Sequence, residues 1–346
     1  MHNFLAQDIK LQQVLKWLTR IVLVLGSIAL ILGLLLWRMW QIRGSIEDTG
    51  WELARAASEP GEAVTATWLG VSTVLFDDGE TQILIDGFFS RISLLDGLPL
   101  RRVTSDIATI NYALARYRMN RLAAIVPAHS HFDHAMDIGH IANRTSAVVL
   151  GSESTANIVR GADVPVDQYQ ILGNGELRQF GEFTIKLIAS RHVPVASENE
   201  EVFSGIIAIP LRQPARLADY KTGVAWSVVL SHPRGTAVVQ ASAGFVRGRL
   251  HEETADVALI SVAGLADMGE DYTAEYWSET VTATGAQRVI ALHHDDYTAP
   301  FGEVRLFPDI ADRVVESARW LNRLAASPDN PVSIERPPFG VPVVLY

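Results

Sequence analysis

The chain contains no cysteine. A disulfide framework, a thiolate metal site and a cysteine nucleophile are therefore excluded, and a transition-metal site has to be built from imidazole and carboxylate. Basic residues are also scarce: 29 Lys and Arg stand against 39 Asp and Glu, a formal net charge of -10. Affinity for a phosphate backbone rests on clustered Lys and Arg, so no nucleic-acid partner is expected. A G-x-S-x-G elbow and an internal repeat are missing too, which argues against a serine hydrolase and a solenoid. What is present is bulk: 346 residues, 48% hydrophobic and 20% charged, ample for a buried core.

The longest apolar run lies near the N-terminus. Ile21 to Trp37 reads IVLVLGSIALILGLLLW without a charge. With Leu18 and Thr19 before it, the reach is close to the ~20 residues that span a bilayer. Arg20 can snorkel toward headgroups, and Trp17, Trp37 and Trp40 stand at the two ends, where aromatic belts form. A run that is apolar on every face argues against a core helix of a soluble protein. No small-x-small cleavage site follows directly, since Arg38, Met39, Trp40 and Gln41 come next, so an uncleaved signal anchor is expected. Lys10, Lys16 and Arg20 precede the span, and Arg38 and Arg43 follow it. That balance puts the N-terminus in the cytoplasm and the main body on the non-cytoplasmic side of the membrane.

The expected organisation is an N-terminal segment 1–20, a transmembrane anchor 21–40, a polar tether 41–62 and a folded domain 63–346. Within the domain, 64–70, 72–76 and 81–86 read as strands, with Asp77-Asp78-Gly79 as a hairpin turn. Helices are expected over 107–119, 137–143, 154–160, 273–284 and 308–324. Strands are expected over 122–127, 147–150, 182–189, 223–230, 236–241, 257–262 and 289–292. Strands and helices interleaved in two successive halves indicate an α/β sandwich with its helices outside.

The chemistry concentrates in Pro127-Ala128-His129-Ser130-His131-Phe132-Asp133-His134. Three histidines and an aspartate in six residues are a poor way to fill a core. Buried imidazoles without partners cost free energy, and close imidazolium groups repel. A cation resolves both by taking their lone pairs. Histidines at i and i+2 on a loop leaving a strand aim two rings at one ion, and Asp133 and His134 then point to an adjacent position.

This H-x-H-x-D-H segment after an apolar strand resembles the signature of the metallo-β-lactamase superfamily. The resemblance covers roughly 63–301. It takes in Trp68-Leu69-Gly70, Leu84-Ile85-Asp86, Ile188-Ala189-Ser190-Arg191-His192 and His293-His294-Asp295-Asp296-Tyr297. The last stretch is similar to the late motif of the branch containing L-ascorbate-6-phosphate lactonase and N-acyl-phosphatidylethanolamine phospholipase D. The resemblance implies a metallo-β-lactamase-like αβ/βα sandwich and two metal positions. His129, His131 and His192 would hold one ion, and Asp133, His134 and His293 the other. Asp86 would orient a ligand imidazole. Such donors suit Zn²⁺ best, one or two ions, with Mn²⁺ or Fe as alternatives.

One departure matters. The family bridges its two ions with an aspartate in a G-D-T-G segment, and the matching stretch here is Ala241-Ser242-Ala243-Gly244, with Ser242 at the aspartate position. A hydroxyl is a weak ligand without charge, so the second ion should bind weakly or be lost. Glu198 or Glu200 would compensate if their loop folds inward. His294 stands where the related branch has Trp, as a pocket residue and proton donor or as a packed side chain, and Asp295, Asp296 and Tyr297 would shape the same pocket. His140, His232 and His251 are expected on a helix face or the surface, and Ser152 or Ser154 as a helix cap. The function this implies is hydrolysis by a metal-bound hydroxide, with Asp133 handling the water's proton. The substrate would be an ester, a lactone or a phosphodiester, small or lipid-like. The alternative is a metal-binding scaffold or sensor at the membrane that has lost turnover.

Overall fold

The protein is described here by a computed structural model covering residues 2–57, 63–195 and 201–346. Glu198 and Glu200 lie outside the described residues.

Among the described residues, two sheets face each other. One has seven strands in the order Pro342–Val344, Thr65–Trp68, Val74–Asp77, Gln82–Ile85, Leu122–Val126, Val148–Gly151 and Tyr169–Ile171. The other has eight: Glu52–Leu53, Ser333–Arg336, Arg288–Leu292, Val257–Ser261, Gly235–Gln240, Ala225–His232, Phe183–Ser190 and Leu177–Phe180. The period-2 geometry of strands explains why apolar residues occupy both of their faces. Ile83 and Ile85 point into the core between the sheets, where they meet Phe183, Leu187, Val228 and Leu259. Leu84, one residue out of phase, packs outward under the helices Ile107–Arg116 and Ile138–Thr145. On the second sheet Ile260 and Val289 turn outward to Tyr276 and Leu321 of Glu270–Trp277 and Val314–Ala325. Each fully buried Leu, Ile or Phe contributes about 1.5–3 kcal/mol, so three apolar layers stabilise helix, sheet, sheet and helix as one body. The expected α/β sandwich is the fold observed.

The N-terminal helix runs His2–Gln41 as one piece. Its segment Leu15–Gln41 is long and apolar enough to cross a membrane and has none of its apolar window buried. Leu23, Leu30 and Leu34 are all more than half exposed, unlike the side chains of a core helix.

The stretch expected as a tether is docked instead, over the described residues up to 57. Trp51 is buried, Glu52–Leu53 pairs in parallel with Ser333–Arg336, and Asn322 Nδ2 donates to the Thr49 carbonyl at 2.8 Å. A tryptophan to bury and an open sheet edge to cover outweigh the polar composition. The closing helix starts at Val314, not at 308, because 308–313 forms a turn: the Ala311 and Asp312 N–H groups donate to the Pro308 carbonyl, and Asp309 N–H donates to the Ile42 carbonyl at 2.9 Å. The short strands Tyr169–Ile171, Leu177–Phe180, Ser333–Arg336 and Pro342–Val344 were not legible, since three or four residues carry too little alternation to read.

Candidate metal centre

Loops at the ends of strands from both sheets converge on one spot. The apolar strand Leu122–Val126 delivers the histidine loop, which is pinned from several sides: Ala128 N–H donates to Asp86 Oδ1 at 2.7 Å, Trp226 N–H to the Ala128 carbonyl at 2.7 Å, and Ser130 N–H to the Thr222 carbonyl at 3.0 Å. His131 then caps the single-turn helix Phe132–Ala135, which places Asp133 and His134 one position on. His192 follows strand Phe183–Ser190, and His293 follows Arg288–Leu292 with φ 60°. Val71 and Asp86 also hold positive φ, at 53° and 57°, and the His293 N–H donates to the Val71 carbonyl at 2.8 Å. Strained non-glycine backbone of this kind persists where surrounding contacts over-determine it.

Two donor groups result. In the first, ring nitrogens of His129, His131 and His192 lie within 4.8 Å of one another, and in the second, donor atoms of Asp133, His134 and His293 do the same. His129 Nε2 stands 3.1 Å from His131 Nδ1, and Asp133 Oδ2 is 3.3 Å from His293 Nε2 and 3.5 Å from His134 Nε2. The rings of His129 and His134, with centroids 3.9 Å apart, join the groups. These are the six residues that the resemblance implied, brought together from three separate stretches.

The donor chemistry suits a cation. Burial, followed by the neighbouring imidazoles, drives His129 well below the ordinary histidine range. Burial and His192 take His131 down to about 3, and burial takes His192 to about 4. All three rings are neutral near pH 7 and keep a lone pair to offer. His131 and His192, together with His134 of the other group, are oriented from behind. His192 Nδ1–H donates to the Val193 carbonyl at 2.7 Å, Thr222 Oγ1 sits 3.1 Å from His131 Nε2, and Asp86 Oδ2 accepts from His134 Nδ1 at 2.8 Å. Asp86 also accepts from Ser72 Oγ at 2.6 Å, so its carboxylate is fully used in holding the loop and the His134 tautomer. Burial opposes a proton on His134, but Asp86 and Asp133 on its two sides outweigh that and raise its pKa. Burial likewise acts to raise Asp133, and His134 and His293 overcome it, leaving the carboxyl well below its usual range. The position between His134 Nε2 and Asp133 therefore favours positive charge, which a metal ion supplies without a proton.

A cavity of about 460 Å³ stands over the two groups, lined on its floor by His131, Asp133, His134, His192 and His293. Ser242 lines it too, and its hydroxyl accepts the Val193 N–H at 3.0 Å, so it braces the His192 loop. Gly244 makes that approach possible: a Cβ there would stand 2.3 Å from the Arg191 carbonyl oxygen.

The remaining expectations divide. Tyr297 lines the cavity. His294 does not: it is fully buried behind the site, stacked on Trp68 at 4.8 Å and edge-on to Trp51 at 5.9 Å, with burial lowering its pKa to about 4. The ring fills a space between tryptophans rather than facing the cavity. Asp295 Oδ1 accepts the Val71 N–H at 2.7 Å, and Asp296 pairs with Arg43 at 2.9 Å and Arg305 at 3.1 Å, so both are braces. His251 is exposed beside Glu279, and His140 is half-buried on its helix, as expected. His232 is not a surface residue, for its side chain is buried against Phe183 and Asp78. Ser152 caps helix Glu153–Gly161, while Ser154 accepts the Ile207 N–H at 2.9 Å.

Three residues of the site carried no signal in the sequence, Ser72, Thr222 and Asp312, and Trp40, read there only as a membrane-belt residue, lines the cavity as well. Asp312 is buried on the cavity wall. Its Oδ2 accepts the Gly264 N–H at 3.1 Å, its Oδ1 has no partner among the described residues, and burial pushes its pKa up to about 7. It stood inside an expected helix, and only the turn at 308–313 aims it inward.

Comparisons with known proteins agree with this geometry. The family model for the metallo-β-lactamase superfamily matches residues 66–194. A UPF0173 metal-dependent hydrolase from Heliobacterium modesticaldum is 29% identical over 126 residues, 36% of this chain and 44% of the relative. One from Carboxydothermus hydrogenoformans is 29% identical over 36% of this chain and 46% of the relative. The match thus spans less than half the length of each. Among solved structures, a possible metal-dependent hydrolase from Veillonella parvula superposes with a TM-score of 0.52 at 16% identity, over 82% of this chain and 100% of that one. CmlA, a diiron β-hydroxylase from Streptomyces venezuelae, gives 0.50 at 12% identity, over 82% of this chain and 54% of that one. By its two-sheet architecture, and by the sequence match across the histidine loop, this chain carries the α/β sandwich of the metallo-β-lactamase superfamily.

Proposed function

We propose that this chain is a metal-dependent hydrolase, held on a membrane by Leu15–Gln41 with its main body on the non-cytoplasmic side. The observation that carries the reading is the pair of adjoining three-donor groups at the floor of one cavity. The relatives named metal-dependent hydrolases support it, as does the superfamily signature. The late segment His293–Tyr297 further supports the branch that holds the lactonase and the phospholipase, with His294 in place of its tryptophan.

His129, His131 and His192 would hold one ion, and Asp133, His134 and His293 the other. Zn²⁺ suits the set best, and Mn²⁺ or Fe are the alternatives. When bound, such ions polarise a carbonyl or phosphoryl oxygen and bring a water near neutrality in pKa. Asp86 keeps the His134 Nδ1 proton in place and so fixes the tautomer. Asp133, at the boundary of the two groups, takes the attacking water's proton. Asp312, buried on the cavity wall with Oδ1 free of partners among the described residues, would return a proton to the departing oxygen. The substrate class is an ester, lactone or phosphodiester.

The test is turnover of a chromogenic phosphodiester and a lactone panel by the metal-loaded full chain. Hydrolysis lost on chelation and in Asp133→Asn is expected. Hydrolysis of neither class at full metal occupancy refutes the reading. It would favour a metal-binding scaffold without turnover, for which Ser242 at the bridging position is the specific indication.

A further inference from the structure

The cavity has a wall that ion binding does not explain. Trp40, in the last turn of the helix His2–Gln41, lines it. That helix end is fastened to the rim. The Ile42 carbonyl accepts the Asp309 N–H at 2.9 Å, Arg43 pairs with Asp296 at 2.9 Å, and Arg43 Nη1 donates to the Leu306 carbonyl at 3.1 Å. Asp296 and Asp309 belong to the segment between His293 and Asp312, so the end of the apolar helix is joined directly to the cavity mouth.

Around the same mouth the chain exposes apolar side chains. Leu94 lines the cavity and is 53% exposed, and Leu98 and Leu100 on the same loop are 53% and 94% exposed. Val202 is 40% exposed while lining the cavity from another segment, and Ile310, beside Asp309, is 47% exposed. Solitary exposed leucines are ordinary, but a cluster rimming a cavity marks a contact surface. Its occupant follows from continuity: the rim is joined directly to the segment Leu15–Gln41, long and apolar enough to cross a bilayer. Trp40 at the end of that helix and Leu94 of the leucine loop line the same cavity.

We infer that the cavity opens onto the bilayer surface and takes an amphiphilic substrate from it, with an acyl or alkyl chain along Trp40, Ile92, Leu94 and Phe307 and the scissile ester or phosphodiester group at the donor cluster. The chemistry rests on the hydrolase reading, but the orientation of the mouth does not. Cleavage adds the elements of water. The water oxygen bonds to the carbonyl carbon or phosphorus, the bond to the leaving oxygen breaks, and that oxygen leaves with the proton. The polar product returns to water and the chain to the lipid.

The absence of cysteine makes the test direct. Leu100→Cys and, as a control on the far edge of the first sheet, Val166→Cys (77% exposed in the native chain) each receive a fluorophore, in full chain reconstituted into phosphatidylcholine vesicles containing nitroxide-labelled lipid. Strong quenching at position 100 and little at 166 is expected; equal quenching at both overturns the orientation. In parallel, acetyl and octanoyl esters of one chromogenic alcohol are compared below their micelle concentrations. Each methylene moved from water onto an apolar wall is worth roughly fourfold, so the octanoyl ester should be favoured by at least ~10-fold in kcat/KM, and Leu94→Asn should lower that ratio. Equal turnover of the two esters overturns the substrate class and leaves the hydrolase reading standing. Turnover of neither, with position 100 quenched, removes the hydrolase reading and leaves the membrane-facing mouth.

Discussion

Replacing Asp86 by Asn tests how the second donor group is wired. Asp86 has φ 57°, a conformation Asn tolerates, and the two side chains have nearly the same shape. One oxygen must remain an acceptor, because the Ala128 N–H donates to it at 2.7 Å. The amide nitrogen of the substituted side chain is then forced into the place of Oδ2, facing Ser72 Oγ and His134 Nδ1, the latter at 2.8 Å in the native chain. An amide N–H donates, so His134 Nδ1 has to accept and its proton moves to Nε2, the nitrogen that faces Asp133. A protonated nitrogen has no lone pair for an ion. Losses of this kind behind a ligand cost 10–100-fold in metal affinity, about 1.4–2.7 kcal/mol. The assay is chelator competition for Zn²⁺ on the full chain in detergent, read ion by ion. The weaker affinity should fall by that factor, while the ion of His129, His131 and His192 keeps its own. Unchanged affinity of both ions in a folded Asp86→Asn chain would refute the tautomer argument. Asp86→Ala is the harsher variant, since it leaves the Ala128 N–H and Ser72 hydroxyl unpaired at ~1–3 kcal/mol each.

Ser242→Asp restores a carboxylate at the cavity floor and should tighten the second ion by ~10-fold or more, a gain of about 1.4 kcal/mol, by the same competition assay. The two ions should also differ in pH dependence. His131 and His192 protonate only near pH 3 and 4, so the first ion's affinity should stay flat from pH 8 to about 5. His134, whose pKa is raised, must give up a proton, so the second ion should weaken as pH falls toward and below neutrality; parallel curves for the two ions would contradict this. In the metal-stripped chain, Asp312 binds its proton more tightly folded, at about pH 7, than unfolded, at 3.8. Its contribution therefore lowers stability as pH rises between those values, by at most about 4 kcal/mol. Asp312→Asn should accordingly be more stable than the native chain at pH 8 and no more stable at pH 4 in thermal melts. Trp51→Ala should cost ~3–5 kcal/mol of stability in denaturant titrations, because that side chain is a buried part of the domain; a surface-like cost below ~0.5 kcal/mol would restore the tether.

The sequence announced the site more clearly than the fold's edges. The loop 127–134 is local, so its donors sit together in the chain, and His192 and His293 follow strands long enough to read as strands. Long-range geometry stayed hidden. Ser72 and Thr222 serve the site only because distant loops meet there, and nothing in their neighbours marks them. His294 reads as a site residue because it adjoins His293, but the sharp turn at His293, with φ 60°, throws the next ring to the opposite side, between Trp68 and Trp51. Composition misplaced 41–57 for a similar reason. Its polar residues look solvated, whereas one tryptophan and two strand residues decide where it sits.

Metal content per chain decides the matter most directly. The full chain, purified in detergent and dialysed against Zn²⁺, is expected to hold two ions at saturation, one lost in His192→Ala and the other in His293→Ala. A folded chain that binds no ion, or that binds equally well after both histidines are removed, would show that the six side chains gather for some other purpose.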